Sequence, residues 1–252
     1  MKSHAAIGFP MFSIPEMMKC TMKLLDIERA WMPQRPFHSL YMRPVSISMD
    51  DTLGMSKVNR MKTFICLCPA GPYLKEGFVP FKLHADTSVV RAWPGGWGDK
   101  KLGGNYAPVM KNLRLGKQNF GGDTCLWLLH DKVLEMGALN VFVHWINEDG
   151  DLEVITPPID GTILPGITRD SMLHLMKDLK EFKVTERSFT IHDMIKAVKD
   201  GRMKEMFGSG TAALISSVSQ FSYEGEIYKV PIEEGKGAGP LTQRLLRALN
   251  DI

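Results

Sequence analysis

Arg91-Ala-Trp-Pro-Gly-Gly-Trp-Gly-Asp-Lys-Lys-Leu-Gly-Gly-Asn-Tyr106 is the stretch around which the chain is organised. Pro94, Gly95, Gly96, Gly98, Gly103 and Gly104 crowd it, so it can neither propagate a helix nor pair well as a strand. It reads as a loop, and Asn105 opens a helical pattern through Val109 and Leu113. Glycine lets a backbone approach a ligand closely, so a lysine here could reach one. A lysine forms a Schiff base only where burial or neighbouring charge lowers its pKa. On the loop alone, a solvated basic segment accounts for the residues equally well.

Two further stretches add to it. Glu135-Met-Gly-Ala-Leu-Asn140-Val-Phe142 places a carboxylate just before a predicted strand. Leu164-Pro-Gly-Ile-Thr-Arg169 is a tight turn entering a helix, where free backbone N–H groups could hold a phosphate. An amine, a carboxylate and a phosphate cradle are what a pyridoxal phosphate site needs. The run from Glu135 through Val154-Ile-Thr156 to Arg169 resembles the signature of the class IV, fold type IV, pyridoxal phosphate aminotransferases. Lys101-Leu-Gly-Gly-Asn-Tyr106 resembles the cofactor-lysine motif of branched-chain amino acid aminotransferases of the eukaryotic type. The similarity runs from about Met1 to Ile252.

At 252 residues the chain can bury a large core in one or two domains. Its 44% apolar and 23% charged content is ordinary for a globular protein. A net charge of +3 argues for neither nucleic acid nor an anionic membrane. No apolar run approaches a membrane span, and the first ten residues do not read as a targeting peptide. Cys20, Cys66, Cys68 and Cys125 form no C-x-x-C, and no histidine stands at ligand spacing, so no metal site is expected. Free thiols point to a reducing, cytoplasmic or mitochondrial compartment, although no transit peptide is visible.

In chain order, Ser13-Ile-Pro-Glu16 reads as a capping box opening a helix to about Glu28, with Met17, Thr21, Leu24 and Leu25 as its apolar stripe. Strands are predicted over Ser39–Ser48 and Thr63–Cys68, around a turn at Asp50–Gly54. Pro69 to Gly77 is the linker candidate. The predicted division is residues 1–70 as part of a small domain, 71–78 as linker and 79–252 as a large cofactor-binding domain. Further strands are predicted over Val79–Leu83, Ser88–Trp93, Cys125–Leu129, Val141–Trp145, Leu152–Ile155 and Met203–Phe207, and a hairpin at Tyr223–Ile227. Asn147–Gly150 joins two of these strands as a hairpin. Helices are predicted over Thr168–Lys180, from the cap Thr190 to Gly201, and over Leu241–Leu249. Strands outnumber helices without alternating with them, which makes the fold α+β with mixed sheets. The resemblance implies the fold type IV architecture, with a small α/β domain and a larger barrel-like one.

The resemblance also implies roles. Lys101, rather than Lys100, forms the internal aldimine with pyridoxal 5'-phosphate and moves the proton of transamination. Glu135 bonds the pyridine nitrogen and Tyr106 the phenolic oxygen. The N–H groups of Ile167 and Thr168, with the hydroxyl of Thr211, hold the phosphate. Tyr41 and Arg43 line the substrate side, and Ala138 and Ala212 lie beside the substrate. Tyr73, with Leu53, Gly54 and Met55 of a partner subunit in a homodimer, closes an apolar pocket. The implied partners are branched-chain amino acids and 2-oxo acids. The implied activity moves the amino group between leucine, isoleucine or valine and 2-oxoglutarate.

The family's phosphate-binding arginine would precede Met1, so weakened cofactor binding is an expectation, with Arg91 the first candidate replacement. The C-x-x-C of mammalian relatives is Ala213-Leu-Ile-Ser216 here. Two alternatives stay open: a shortened member that turns over weakly or not at all, and another fold type IV enzyme, acting on D-amino acids or as a lyase.

Overall fold

The computed structural model describes residues 1–35, 38–71, 79–212, 214–232 and 235–250. It divides into two compact units, Met1–Lys75 and Glu76–Ile252. Apart from Gly71, the predicted linker lies outside the described residues, as does Tyr73.

The first unit holds helices α1 (Lys2–Ala6) and α2 (Ile14–Ile27) and a ribbon of β1 (Ser39–Ser48) and β2 (Met61–Ala70). Ser13 caps α2, accepting the Glu16 N–H at 3.4 Å. The reciprocal half of the capping box does not form. The exposed Glu16 carboxylate instead pairs with Lys19 one turn on, at 2.8 Å. Met17, Thr21, Leu24 and Leu25 are the half-buried stripe of α2. In the antiparallel ribbon, Tyr41 faces Cys68 and Arg43 faces Cys66, so these four side chains share one face. On the other face the Ser46 and Thr63 hydroxyls bond at 2.8 Å.

The second unit is built on nine strands. They are β3 (Phe81–Asp86), β4 (Thr124–Leu129), β5 (Lys132–Met136), β6 (Leu139–Ile146), β7 (Leu152–Thr156), β8 (Lys183–Glu186), β9 (Met203–Ser209), β10 (Ile215–Tyr223) and β11 (Glu226–Lys229). β10, β3, β4, β5, β6 and β9 pair in that order, and β9 returns to β10, which closes a mixed barrel. Closure leaves no edge in the ring, and side chains alternate between its inside and outside. Leu83, Leu126, Leu128, Met136, Val141, Val143, Met206 and Val218 fill the inside, under helix α5 (Ile191–Lys199). Each such side chain contributes roughly 1.5–3 kcal/mol when fully buried. Thr190 and Asp193 form a complete capping box on α5.

Two apolar layers cover the outside. Phe142, Phe207 and Ile215 pack against α4 (Ile167–Leu179) and α6 (Pro240–Asn250). Cys125, Trp127 and Leu134 pack with Ile163 and with Val109 of α3 (Ala107–Phe120).

Several sequence expectations need correction. Ser88–Trp93 is not a strand: Arg91 and Ala92 are buried and the segment bends, with the Arg91 side chain turned into the unit. The strand expected at Val79–Leu83 runs over Phe81–Asp86. Glu135 lies inside a strand, β5, rather than before one. Strands β5, β8 and β10 were not anticipated, apart from the hairpin at the end of β10.

Candidate active site

Glu135 owes its direction to an irregularity in β5. Leu128 pairs with Val133 and Leu126 with Met136, so β5 carries one more residue than β4 between these pairs. Such a bulge re-aims a side chain. Val133 and Met136 point into the barrel, while Leu134 joins the outer cluster and Glu135 pairs across with Asn140 on β6. The two-residue loop Gly137-Ala138 then returns the chain. Gly137 has φ 56, and a Cβ there would lie 2.3 Å from Thr124 Oγ1, so only glycine fits. The Trp127 indole N–H holds its carbonyl at 2.8 Å.

Glu135 is 2% exposed. Its Oε1 accepts the Leu164 N–H at 2.9 Å and the Asn140 amide at 3.0 Å. Its Oε2 meets Arg91 Nε at 2.8 Å. Burial pushes its carboxyl up to about 7, against the opposing pull of Arg91, the Leu164 N–H, Lys101 and Arg169. A carboxylate has roughly four acceptor sites. The three donors leave one on Oε2, suited to a cationic N–H.

The Lys101 side chain is exposed, with Nζ 5.1 Å from the ring centre of Tyr106. Lys100 is half-buried and ion-paired with Asp99. The loop holding both lysines is pinned by the Asn105 amide, which donates to the carbonyls of Trp97 at 2.7 Å and Lys100 at 2.8 Å.

The N-terminus of α4 has no side-chain cap and begins at Gly166. The Ile167 side chain points to solvent, leaving the backbone N–H groups of the first turn as its polar feature. Thr168 Oγ1 donates to the Gly210 carbonyl at 3.1 Å, which brings the turn carrying Thr211 and Ala212 to the start of α4. A Cβ on Gly166 would meet Asn140 Oδ1 at 2.2 Å, and one on Gly210 would meet Leu139 at 2.3 Å and the Ala138 carbonyl at 3.9 Å. Ser209 Oγ is buried in the same cross-strand row as Asn140, without a hydrogen-bond partner among the described residues.

Glu135, Ala138, Ile167, Thr168, Thr211 and Ala212 are thus gathered on one side of the barrel, and Glu135 lies within electrostatic reach of Lys101, which stands beside Tyr106. Tyr41, Arg43, Leu53, Gly54 and Met55 belong to the first unit. There the Arg43 guanidinium lies 5.3 Å from the Tyr41 ring centre, and Leu53, Gly54 and Met55 are exposed. Arg91 is not available to a phosphate: Glu135, the Thr162 carbonyl at 2.9 Å and the Gly98 carbonyl at 3.1 Å occupy its guanidinium. Sequence reasoning missed this use of Arg91, and the Asn140 bridge between Glu135 and the Leu164 carbonyl at 2.8 Å. No spacing rule announces either, because each also needs a partner far along the chain, Thr162 for Arg91 and Leu164 for Asn140.

The arrangement offers a buried anion for a cationic nitrogen, an uncapped helix start for an anion and a primary amine on a braced loop. Residues 27–221 match the amino-transferase class IV family. The chain is 45% identical over 247 residues to the branched-chain-amino-acid aminotransferase of Dictyostelium discoideum, covering 97% of this chain and 65% of that protein. It is 43% identical over 255 residues to the cytosolic branched-chain-amino-acid aminotransferase of Mus musculus, covering 100% and 65%. It therefore spans about 65% of the length of these curated relatives. Its fold matches the Escherichia coli branched-chain amino acid aminotransferase at TM-score 0.77 and 25% identity, covering 100% of this chain and 76% of that one. It matches the PLP-form enzyme of Thermobaculum terrenum at TM-score 0.73 and 25% identity, covering 99% and 74%. This chain belongs to the class IV aminotransferase family.

Proposed function

We propose that the protein is a pyridoxal 5'-phosphate-dependent transaminase, exchanging the amino group of leucine, isoleucine or valine with 2-oxoglutarate. The observation that carries this reading is the buried Glu135, held by three donors with one acceptor site left on Oε2. The residues fit the cofactor. Lys101 supplies the amine, and Tyr106 beside it a phenol. The Ile167 and Thr168 N–H groups and the Thr211 hydroxyl would hold the phosphate, favoured by the helix dipole. When bound, the cofactor supplies an electron sink for the bond electrons of the substrate Cα.

The protein's own part is positional and protonic. Glu135 keeps a ring nitrogen protonated. Lys101 Nζ would take up and return the proton of the substrate Cα. Tyr41 and Arg43 orient carboxylates, and the backbone around Ala212 assists, with Ala138 alongside. Leu53, Gly54 and Met55 of a second copy, together with Tyr73, form the apolar pocket for a branched side chain. A hydrophobic pocket separates substrates differing by one methylene by only roughly 1–3 kcal/mol, so all three branched amino acids should react. We assign the protein to a homodimer in a reducing compartment. The relatives include proteins named as cytosolic and as mitochondrial, which leaves both compartments within this reading.

The test is amino-group exchange by protein reconstituted with pyridoxal phosphate. Leucine and 2-oxoglutarate should give glutamate and the 2-oxo acid of leucine, with isoleucine and valine also active. Turnover of D-amino acids alone would contradict the reading.

A further inference from the structure

Arg91 is 5% exposed, and its guanidinium joins three segments distant in sequence. Nε meets Glu135 Oε2 on β5 at 2.8 Å, Nη1 donates to the Thr162 carbonyl before α4 at 2.9 Å, and Nη2 to the Gly98 carbonyl at 3.1 Å. Gly98 lies in the loop that carries Lys101 and is itself fixed by close packing. A Cβ on it would stand 2.5 Å from the Thr162 carbonyl and 2.6 Å from Ala92 Cβ. A guanidinium keeps its proton at any ordinary pH, so this buried cation needs the carboxylate as much as the carboxylate needs it. The other charged groups acting on Glu135 are Lys101 from the same loop and Arg169 from α4. The Cys125 thiol, which Arg91 also influences, is pushed up to about 12 by burial and stays neutral.

We propose that Arg91 is a positioning residue, holding Glu135 in its carboxylate form and tying the lysine loop to that carboxylate. The proposal rests on the role given to Glu135 above. Without Arg91, Glu135 would keep two neutral donors in a buried site and take up a proton. A neutral acid donates to a pyridine nitrogen instead of keeping it protonated, and the electron sink weakens. Lysine at position 91 would restore the charge but not three directed contacts, because an ammonium has no planar fork.

The test has two arms. In the cofactor-free protein, Glu135 sits at about 7 against an ordinary 4.5. The folded state then binds more protons than the unfolded one between those values, so stability falls as pH rises through them. The melting temperature of wild type should decline with rising pH and flatten above about 7. An opposite charge lowers a carboxyl by roughly 1–3 units, so Arg91→Gln should move the end of the decline up by about that much. Glu135→Gln should abolish the decline, and adding Arg91→Gln to it should cost less stability than in wild type. A pH dependence in Arg91→Gln identical to wild type overturns the proposal.

In the loaded protein, the rate of reaction with leucine is followed by absorbance against pH. Arg91→Gln should move the acid limb up by the same roughly 1–3 units. Arg91→Lys keeps the test open should Arg91→Gln fail to fold. It should leave the limb in place and lower the plateau rate about tenfold, the effect of one misplaced contact near 1.4 kcal/mol. A wild-type plateau in Arg91→Lys overturns the loop-tying role. If Glu135→Gln reacts like wild type, the role of Glu135 falls and this proposal with it. If Glu135→Gln is slow while Arg91→Gln is not, only this proposal falls.

Discussion

Asn140 shows how much the site depends on single side chains. Its amide donates to both Glu135 Oε1 and the Leu164 carbonyl, and it is 5% exposed. Asn140→Ala removes both donors from buried acceptors. An unsatisfied buried group costs roughly 1–3 kcal/mol, so the urea midpoint should fall by a corresponding amount. A loss under about 0.5 kcal/mol, typical of a neutral surface change, would mean water or a neighbour replaces the amide. Glu135 was legible in the sequence because its spacing to Gly137, Asn140 and Phe142 carries a resemblance. Arg91 was not, because its three partners lie 7, 44 and 71 residues away along the chain, joined only by the fold.

At the scale of elements, local pattern and tertiary context divide cleanly. β1 was predicted with its observed bounds, and α4 and α5 nearly so, because alternation, helical spacing and capping are local signals. The extra residue in β5, the short β8 and most of β10 answer to neighbouring strands, and no period in the chain encodes them. Ser88–Trp93 looked like a strand because Val89, Val90 and Trp93 favour one, yet Arg91 is fixed by side-chain partners and not by a ladder. The start of α4 is equally constrained. Gly166→Ala would place a Cβ 2.2 Å from Asn140 Oδ1 and push the helix start from its seat. Cofactor affinity should weaken about tenfold or more, equivalent to roughly 1.4 kcal/mol, while far-UV circular dichroism stays unchanged. Undiminished affinity, by fluorescence titration with pyridoxal phosphate, would remove the phosphate from this helix.

At the scale of the whole molecule, the closed barrel supplies its own core, whereas the first unit does not. α2 has no buried residue, and a two-stranded ribbon is marginal by itself. Leu53 and Met55 are 104% and 107% exposed, and Met18, Met22 and Trp31 are exposed as well. So much apolar surface predicts association. Sedimentation should give a dimer, and Leu53→Asp with Met55→Asp should lower turnover of leucine with the barrel still folded; an active monomer would contradict the shared pocket. The mixed α+β architecture was legible from the balance of strands and helices, but the barrel came only with the resemblance, since its closure depends on β9 returning to β10. The central claim is that the Gly-rich loop presents Lys101 as the cofactor's amine. Its most direct test is borohydride reduction of the reconstituted protein followed by peptide mapping. The label should appear on Lys101, and Lys101→Ala should take none while Lys100→Ala is labelled as wild type; label on Lys100, or none on either lysine, would contradict the account.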